Sequence, residues 1–170
     1  MAARLFPFAR AIVDFAVTDT WDPAGTDYRK DEWIGAVYYD YDATDGYLVY
    51  RCVKNTSAAS IPANRLVFTD IGETNIDHVE KGTGVTTPVS RTRGMTIGAI
   101  AAGECGFVVC RGKVTGEAVG SNVTADTAIT QDSAGLIKDG TVGTHAIIGS
   151  SFALINVGVL ATGKVFIDVL

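Results

Sequence analysis

The chain has 170 residues, 47% of them apolar, and its 14 basic and 19 acidic side chains give a formal charge of −5 with a pI near 4.9. A chain of this length buries roughly 70% of its unfolded surface, so its core requires neither disulfides nor a structural metal, and a charged fraction of 19% sets it apart from the disordered class. The acidic balance argues against a duplex-DNA binder, which must neutralise several phosphates at once, and no nucleic-acid partner is expected.

Met1 to Asp14 holds Arg4 and Arg10 around apolar residues that Pro7 interrupts, a pattern unlike an export signal. Phe6, Phe8, Phe15 and Trp21 follow no helical or strand period and lie among Pro7, Pro23 and Gly25. This predicts an extended arm over residues 1–32 that orders by docking on a partner or on its own domain. Eleven of the fifteen aromatics fall in the first fifty residues, and so does the whole net charge: nine acids against four bases there, ten of each afterwards. An aromatic, acidic front is thus set against an electrically balanced remainder.

Trp33 to Tyr41 and Tyr47 to Lys54 read as strands, and the connection from Asp42 to Gly46, ending in Asp-Gly, predicts a hairpin. Trp33, Val37, Tyr39 and Tyr41 share one face by alternation, and Ile34, Ala36 and Tyr38 the other. Both faces therefore require cover. Residues 33–90 form a small β region with a polar, irregular linker or long loop at Ile71 to Ser90. Further strands are expected at 65–69, 96–101, 106–114, 122–130, 144–148, 152–157 and 164–170. Thirteen of the nineteen glycines lie in residues 94–170, and no capped 3.6-residue period appears there. The fold class is therefore all-β, with a barrel or sandwich domain over 91–170 behind the N-terminal arm and hairpin. In the last strand Val165, Ile167 and Val169 should point one way, and Lys164, Phe166 and Asp168 the other. Ala146 to Gly163 is uncharged and long enough to span a bilayer, but its glycines, serines and Asn156 suit short strands and loops, so no membrane contact is expected.

Cys52, Cys105 and Cys110 cannot all pair, which points to reduced thiols in a cytosolic assembly environment. Gly158 to Lys164 fits the first part of a phosphate-binding loop, but Val165 replaces the magnesium-ligating Ser or Thr and only five residues follow, too few for the helix that would hold the phosphate. His78 and His145 stand in no metal-ligand spacing, there is no Gly-x-Ser-x-Gly elbow, and Asp40, Asp42 and Asp45 lack the terminal Glu of a calcium loop. Asn122-Val123-Thr124 would be a glycosylation acceptor only in a secreted eukaryotic protein. No catalytic residues, metal or cofactor are expected.

Two stretches carry a family resemblance. One is Tyr50-Arg51-Cys52-Val53-Lys54-Asn55-Thr56-Ser57 with Ile61 to Phe68 after it. The other is Arg93-Gly94-Met95-Thr96-Ile97-Gly98-Ala99, running on through Ile100-Ala101-Ala102-Gly103-Glu104-Cys105-Gly106-Phe107 to Gly112, followed by Ser-Ala-Gly at 133–135 and Ile-Gly at 148–149. Over roughly residues 47–170 the chain resembles the capsid decoration, or cement, proteins of tailed bacteriophages, with Cys105 where these often have an aromatic residue. The resemblance implies a non-enzymatic β-rich virion protein, made in the host cytoplasm, that binds the outer capsid surface. It would contact the major capsid protein, assemble as a homo-oligomer, commonly a trimer, and bridge capsomers to stabilise the shell. Phe6, Phe8, Phe15, Trp21, Trp33, Tyr38 and Tyr39 are the expected capsid or subunit contacts, since interface energy concentrates in buried aromatics. The alternative is a virion fibre or adhesin that holds a host-surface glycan or receptor.

Overall fold

The computed structural model describes residues 18–24, 33–81, 91–118, 123–141, 147–152, 155 and 161–169. Phe6, Phe8 and Phe15 of the expected arm lie outside them. The protein is all-β, as expected, and has no α-helix among the described residues. Ten strands follow in chain order: β1 Val37–Asp42, β2 Gly46–Asn55, β3 Leu66–Thr69, β4 His78–Lys81, β5 Thr92–Thr96, β6 Cys105–Ala118, β7 Ala128–Gln131, β8 Ile137–Asp139, β9 Gly149–Ser151 and β10 Ala161–Asp168.

The strands form one mixed sheet in the order β1-β2-β4-β3-β5-β6-β10-β9-β7-β8, with β2–β6 and β6–β8 also paired. The extra pairings close two circuits that share β6: β2, β4, β3, β5 and β6 in one, and β6, β10, β9, β7 and β8 in the other. The 14 residues of β6 make this possible. Its first half pairs with β2 and β5, and its second half with β10 along Arg111 to Ala118. The strands before residue 82 and after residue 90 thus belong to one hydrogen-bonded sheet.

Strand alternation divides the apolar residues between two clusters. Tyr50, Cys52, Leu66, Phe68, Phe107, Val109, Val165 and Ile167 belong to a large cluster that extends back to Trp21. Val53, Val67, Val79 and Val108, with Ile61 and Ile100, form a smaller one. Along β6, Phe107 and Val109 join the first and Val108, between them, the second, so the part of the strand from Cys105 to Cys110 is buried on both faces. Val165 and Ile167 share one face, as expected, and the structure makes it the inward one, with Asp168 outward.

Several expected boundaries are corrected. The strand expected at 96–101 is β5, which ends at Thr96. There the hydroxyl donates to the Pro62 carbonyl at 2.7 Å and accepts the Arg65 N–H at 3.0 Å, and Ile100 makes a single bridge to Ile61. The polar run His78–Lys81 is a strand because β2 and β3 flank it, not because of its own pattern. Between 122 and 130 the ladder begins only at Ala128, after Asp126 takes the left-handed conformation at φ 57°. Gly149-Ser150-Ser151 is β9, although its composition reads as a turn. A Cβ on Gly149 would lie 1.8 Å from the Phe166 carbonyl oxygen, so only glycine permits the approach of β10. Lys164, the last residue of the phosphate-loop-like run, lies inside β10.

The two stretches that carry the family resemblance meet at Asn55, which is fully buried. Its Nδ2 donates to the carbonyls of Ala59, Ile100 and Ala101 at 2.9, 2.9 and 3.1 Å. Its Oδ1 accepts from the Ser57 N–H and hydroxyl. The backbone completes the clasp, Asn55 N–H to Glu104 O and Gly103 N–H to Asn55 O. Gly103 holds φ 81°, a turn conformation that favours glycine. A second tie is the ion pair of Arg65 Nε with Glu117 Oε2 at 2.8 Å, both side chains largely buried, with Arg65 also donating to the Ala134 carbonyl. It joins the entry to β3 to the far end of β6.

Asp139, in β8, gathers the β6–β7 connection. It accepts the Thr124 N–H at 2.9 Å, the Thr124 hydroxyl at 2.8 Å and the Thr127 hydroxyl at 2.9 Å. Burial alone would raise this carboxyl, but the hydrogen bonds from Thr124 and Thr127 outweigh it and hold the pKa below the ordinary value. A depressed folded pKa contributes stability that is present above the unfolded value and lost as pH falls through the folded one. Asp139→Asn should therefore flatten the acid limb of the stability curve below about pH 4, measured by urea midpoints against pH. An acid limb identical to wild type would refute this role.

Candidate functional site

The most distinctive surface lies on the β1–β2 hairpin. The register sets Tyr39 opposite Val49, Tyr41 opposite Tyr47 and Asp42 opposite Gly46, as the Asp-Gly signal predicts. Gly46 closes the turn at φ 79°. The Asp42 carboxylate accepts the N–H groups of Asp45 and Thr44 at 2.9 and 2.7 Å, and these bonds hold it below the usual carboxylate range. Asp45 turns the other way: its Oδ2 accepts from Lys164 Nζ at 2.7 Å, and its Oδ1 lies 3.7 Å from Lys113 Nζ. The hairpin tip is thereby tied to β6 and β10.

The two faces of the hairpin differ sharply. Inward, the Tyr38 ring meets Phe107 edge-on at 5.3 Å, and Trp21 lies 5.6 Å from Phe107 and 6.1 Å from Trp33. Burial, with the nearby Cys52, pushes the Tyr38 phenol up to about 12. Burial, and then Asp40, Asp42 and Asp45, do the same to Tyr50. Outward, Tyr39, Tyr41 and Tyr47 are 68%, 61% and 80% exposed. Tyr41 and Tyr47 form a cross-strand pair, ring centroids 5.0 Å apart and planes at 64°. Three tyrosines thus stand on one side of a two-stranded ribbon whose other side is fastened to the core.

The expected contact residues separate accordingly. Trp21 is 3% exposed and exchanges two backbone hydrogen bonds with Cys105, so it belongs to the chain's own core. Trp33 packs against Trp21 and not beside Tyr39, because Gly35 at φ 87° breaks the alternation that would have aligned it with Val37. Tyr38 is half-buried on the inner face, and Tyr39 stands on the open one. Tyr47, absent from the expected set together with Tyr41, is the most exposed of the three. The hairpin register, with its Asp-Gly turn, is the signal that would have found both.

The described residues offer little for covalent chemistry. A cleft of about 250 Å³ under the hairpin tip is lined by Asp42, Asp45, Lys113 and Lys164, but both lysines are already drawn to the Asp45 carboxylate, at 2.7 Å from Lys164 and 3.7 Å from Lys113. Burial pushes the Cys52 and Cys110 thiols up, and all three cysteines are buried and none forms a disulfide, which disfavours the thiolate a nucleophile needs. His78 pairs with Glu73 at 2.9 Å in the β3–β4 connection, and His145 lies outside the described residues. No group of three metal-ligating side chains occurs among the described residues, and no helix there is long and apolar enough to cross a membrane.

No family model matches the sequence, and no curated protein does. Among solved structures, the chain is similar to the N base of the head fiber gp8.5 of bacteriophage phi29, with 15% identical residues and a TM-score of 0.49 over 72% of this chain and 95% of that one. The likeness is one of chain path, and at this identity it carries no role across.

Proposed function

We propose that this chain is a structural protein of a tailed-phage virion that binds the outer capsid surface and stabilises the shell by bridging capsomers through the outer face of its first hairpin. The observation that carries this reading is the exposure of Tyr39, Tyr41 and Tyr47 together on a ribbon whose inner face is fixed. Large amphipathic rings at low conformational cost are what anchors of protein interfaces are made of. The resemblance of residues 47–170 to decoration proteins supports it, because its two stretches are those that Asn55 clasps together to hold β2 against β6. Phe6, Phe8 and Phe15 are further candidates for the same contact, and self-assembly, commonly as a trimer, belongs to the same reading.

Cosedimentation with empty tailed-phage capsid shells tests it. The triple variant Tyr39→Ser, Tyr41→Ser, Tyr47→Ser should lose at least about tenfold in affinity, as expected for truncated anchors. Its stability to urea should fall by no more than about 2–3 kcal/mol with the fold retained, since each exposed substitution costs within about 0.5 kcal/mol and the Tyr41–Tyr47 ring pair adds about 0.5–1.5 kcal/mol. Undiminished binding to shells would reject the hairpin as the contact.

A further inference from the structure

The β1 backbone has an outer edge as well as an outer face. Cys52 N–H bonds the Ala36 carbonyl at 2.9 Å, and the register continues with Tyr38 opposite Tyr50 and Asp40 opposite Leu48. Antiparallel alternation then turns the backbone groups of Tyr38 and Asp40 toward β2, and those of Val37, Tyr39 and Tyr41 away from it. β1 ends the strand order, and no described strand pairs with that side. The Tyr41 N–H is taken by the carboxylate of Asp40 at 2.8 Å, whereas Val37 and Tyr39 have no such partner among the described residues.

Charge selects what this edge can accept. From Val37 to Tyr50 the chain carries Asp40, Asp42 and Asp45 and no base. Asp45 is neutralised by Lys164 and Lys113, while Asp40 and Asp42 form no ion pair among the described residues. A second copy laid antiparallel along this six-residue strand would bring the aspartates of both copies onto one short ladder, and like charges across strands repel. A basic strand would meet complementary charge there, with its alternate side chains beside Tyr39 and Tyr41.

We propose that the outer edge of β1 is a strand-addition site for an extended basic segment of a partner protein. Its Lys or Arg side chains lie on the side of Asp40 and Asp42, and its apolar ones beside Tyr39 and Tyr41. Main-chain hydrogen bonds to Val37 and Tyr39 supply affinity, and the two faces supply selectivity. The inference rests on the capsid-binding reading only for the identity of the partner.

The test uses the full chain and two labelled ten-residue peptides, alternating Lys-Val and alternating Glu-Val, followed by fluorescence anisotropy. The Lys-Val peptide should bind saturably, at least about tenfold more tightly than Glu-Val, and more weakly as salt rises. Val37→Pro removes an outward N–H while leaving the β1–β2 ladder intact, as edge positions allow. It should weaken Lys-Val binding by about tenfold or more at an unchanged melting temperature. Should that variant fail to fold, Asp40→Lys decides, because it should reverse the preference between the peptides. Binding of neither peptide would show that Asp40 only blocks the edge and would overturn the proposal. So would binding indifferent to both substitutions, or a wild-type dimer that Val37→Pro converts to monomer. Peptide binding lost in Val37→Pro, with no wild-type affinity for shells, upholds strand addition and removes the capsid reading. Shell binding that Val37→Pro retains, without peptide binding, does the reverse.

Discussion

Replacing Arg65 with Met is expected to destabilise the protein by about 3–5 kcal/mol, the usual consequence of stranding one partner of a buried ion pair. Glu117 is 14% exposed and receives Arg65 Nε at 2.8 Å, so the substitution leaves its carboxylate with little water to replace the lost donor. The Ala134 carbonyl loses the same guanidinium. Coulombic attraction is not the reason for the size of the effect, because desolvation offsets much of it in such pairs. The double variant Arg65→Met, Glu117→Met should therefore recover most of the loss. Urea unfolding measures both, with an unchanged slope showing that the shift is one of stability. A single substitution that costs under 1 kcal/mol, or a double variant as weak as the single, would show that the pair is solvated and that the link between β3 and the end of β6 lies elsewhere.

Asn55→Leu is expected to cost about 3 kcal/mol, from two amide protons shared among three carbonyls and two accepted hydrogen bonds, at a net of about 0.5–1.5 kcal/mol for each proton exchanged, less what the remaining partners recover. The recovery is real. Ile100 O keeps the Ile61 N–H, and Ala101 O keeps the Glu104 N–H. The effect should be concentrated at the β5–β6 connection, so amide exchange at Gly103 and Glu104 should accelerate more than in the rest of β6. Asn55→Asp should be no milder than the leucine variant, since it turns a carboxylate oxygen toward three carbonyls. A fully stable Asn55→Leu protein would mean that backbone pairing alone holds the clasp.

These two residues mark how differently sequence and structure speak. Asn55 stands at the end of an apolar strand in one of the stretches that resemble decoration proteins, and Ser57 and Ala59 are local partners, yet nothing in its neighbourhood says that Ile100 and Ala101, 45 and 46 residues on, complete the set. Arg65 and Glu117 look like solvated charges in a balanced half of the chain. A partner so distant has no local signature, because hydrogen-bond geometry and burial are settled by which strands come together.

The sequence by itself determined the all-β class, the hairpin with its Asp-Gly turn, the division of β10 into two faces and that the three cysteines cannot all pair. Each depends on period-two alternation, on turn conformation or on cysteine number, which are properties of short stretches or of composition. Only the tertiary structure decided that β6 is shared by two circuits, that a polar run such as His78–Lys81 or a Gly-Ser-Ser run can be a strand, and that Trp21 lies in the core while Tyr39, Tyr41 and Tyr47 stay outside. Aromatic enrichment at the front of the chain states how much ring surface needs cover, not which rings receive it. That choice follows from closure of the sheet, which brings Phe107 under Tyr38 and Trp21 while Tyr39, Tyr41 and Tyr47 stay exposed on the opposite face of the ribbon.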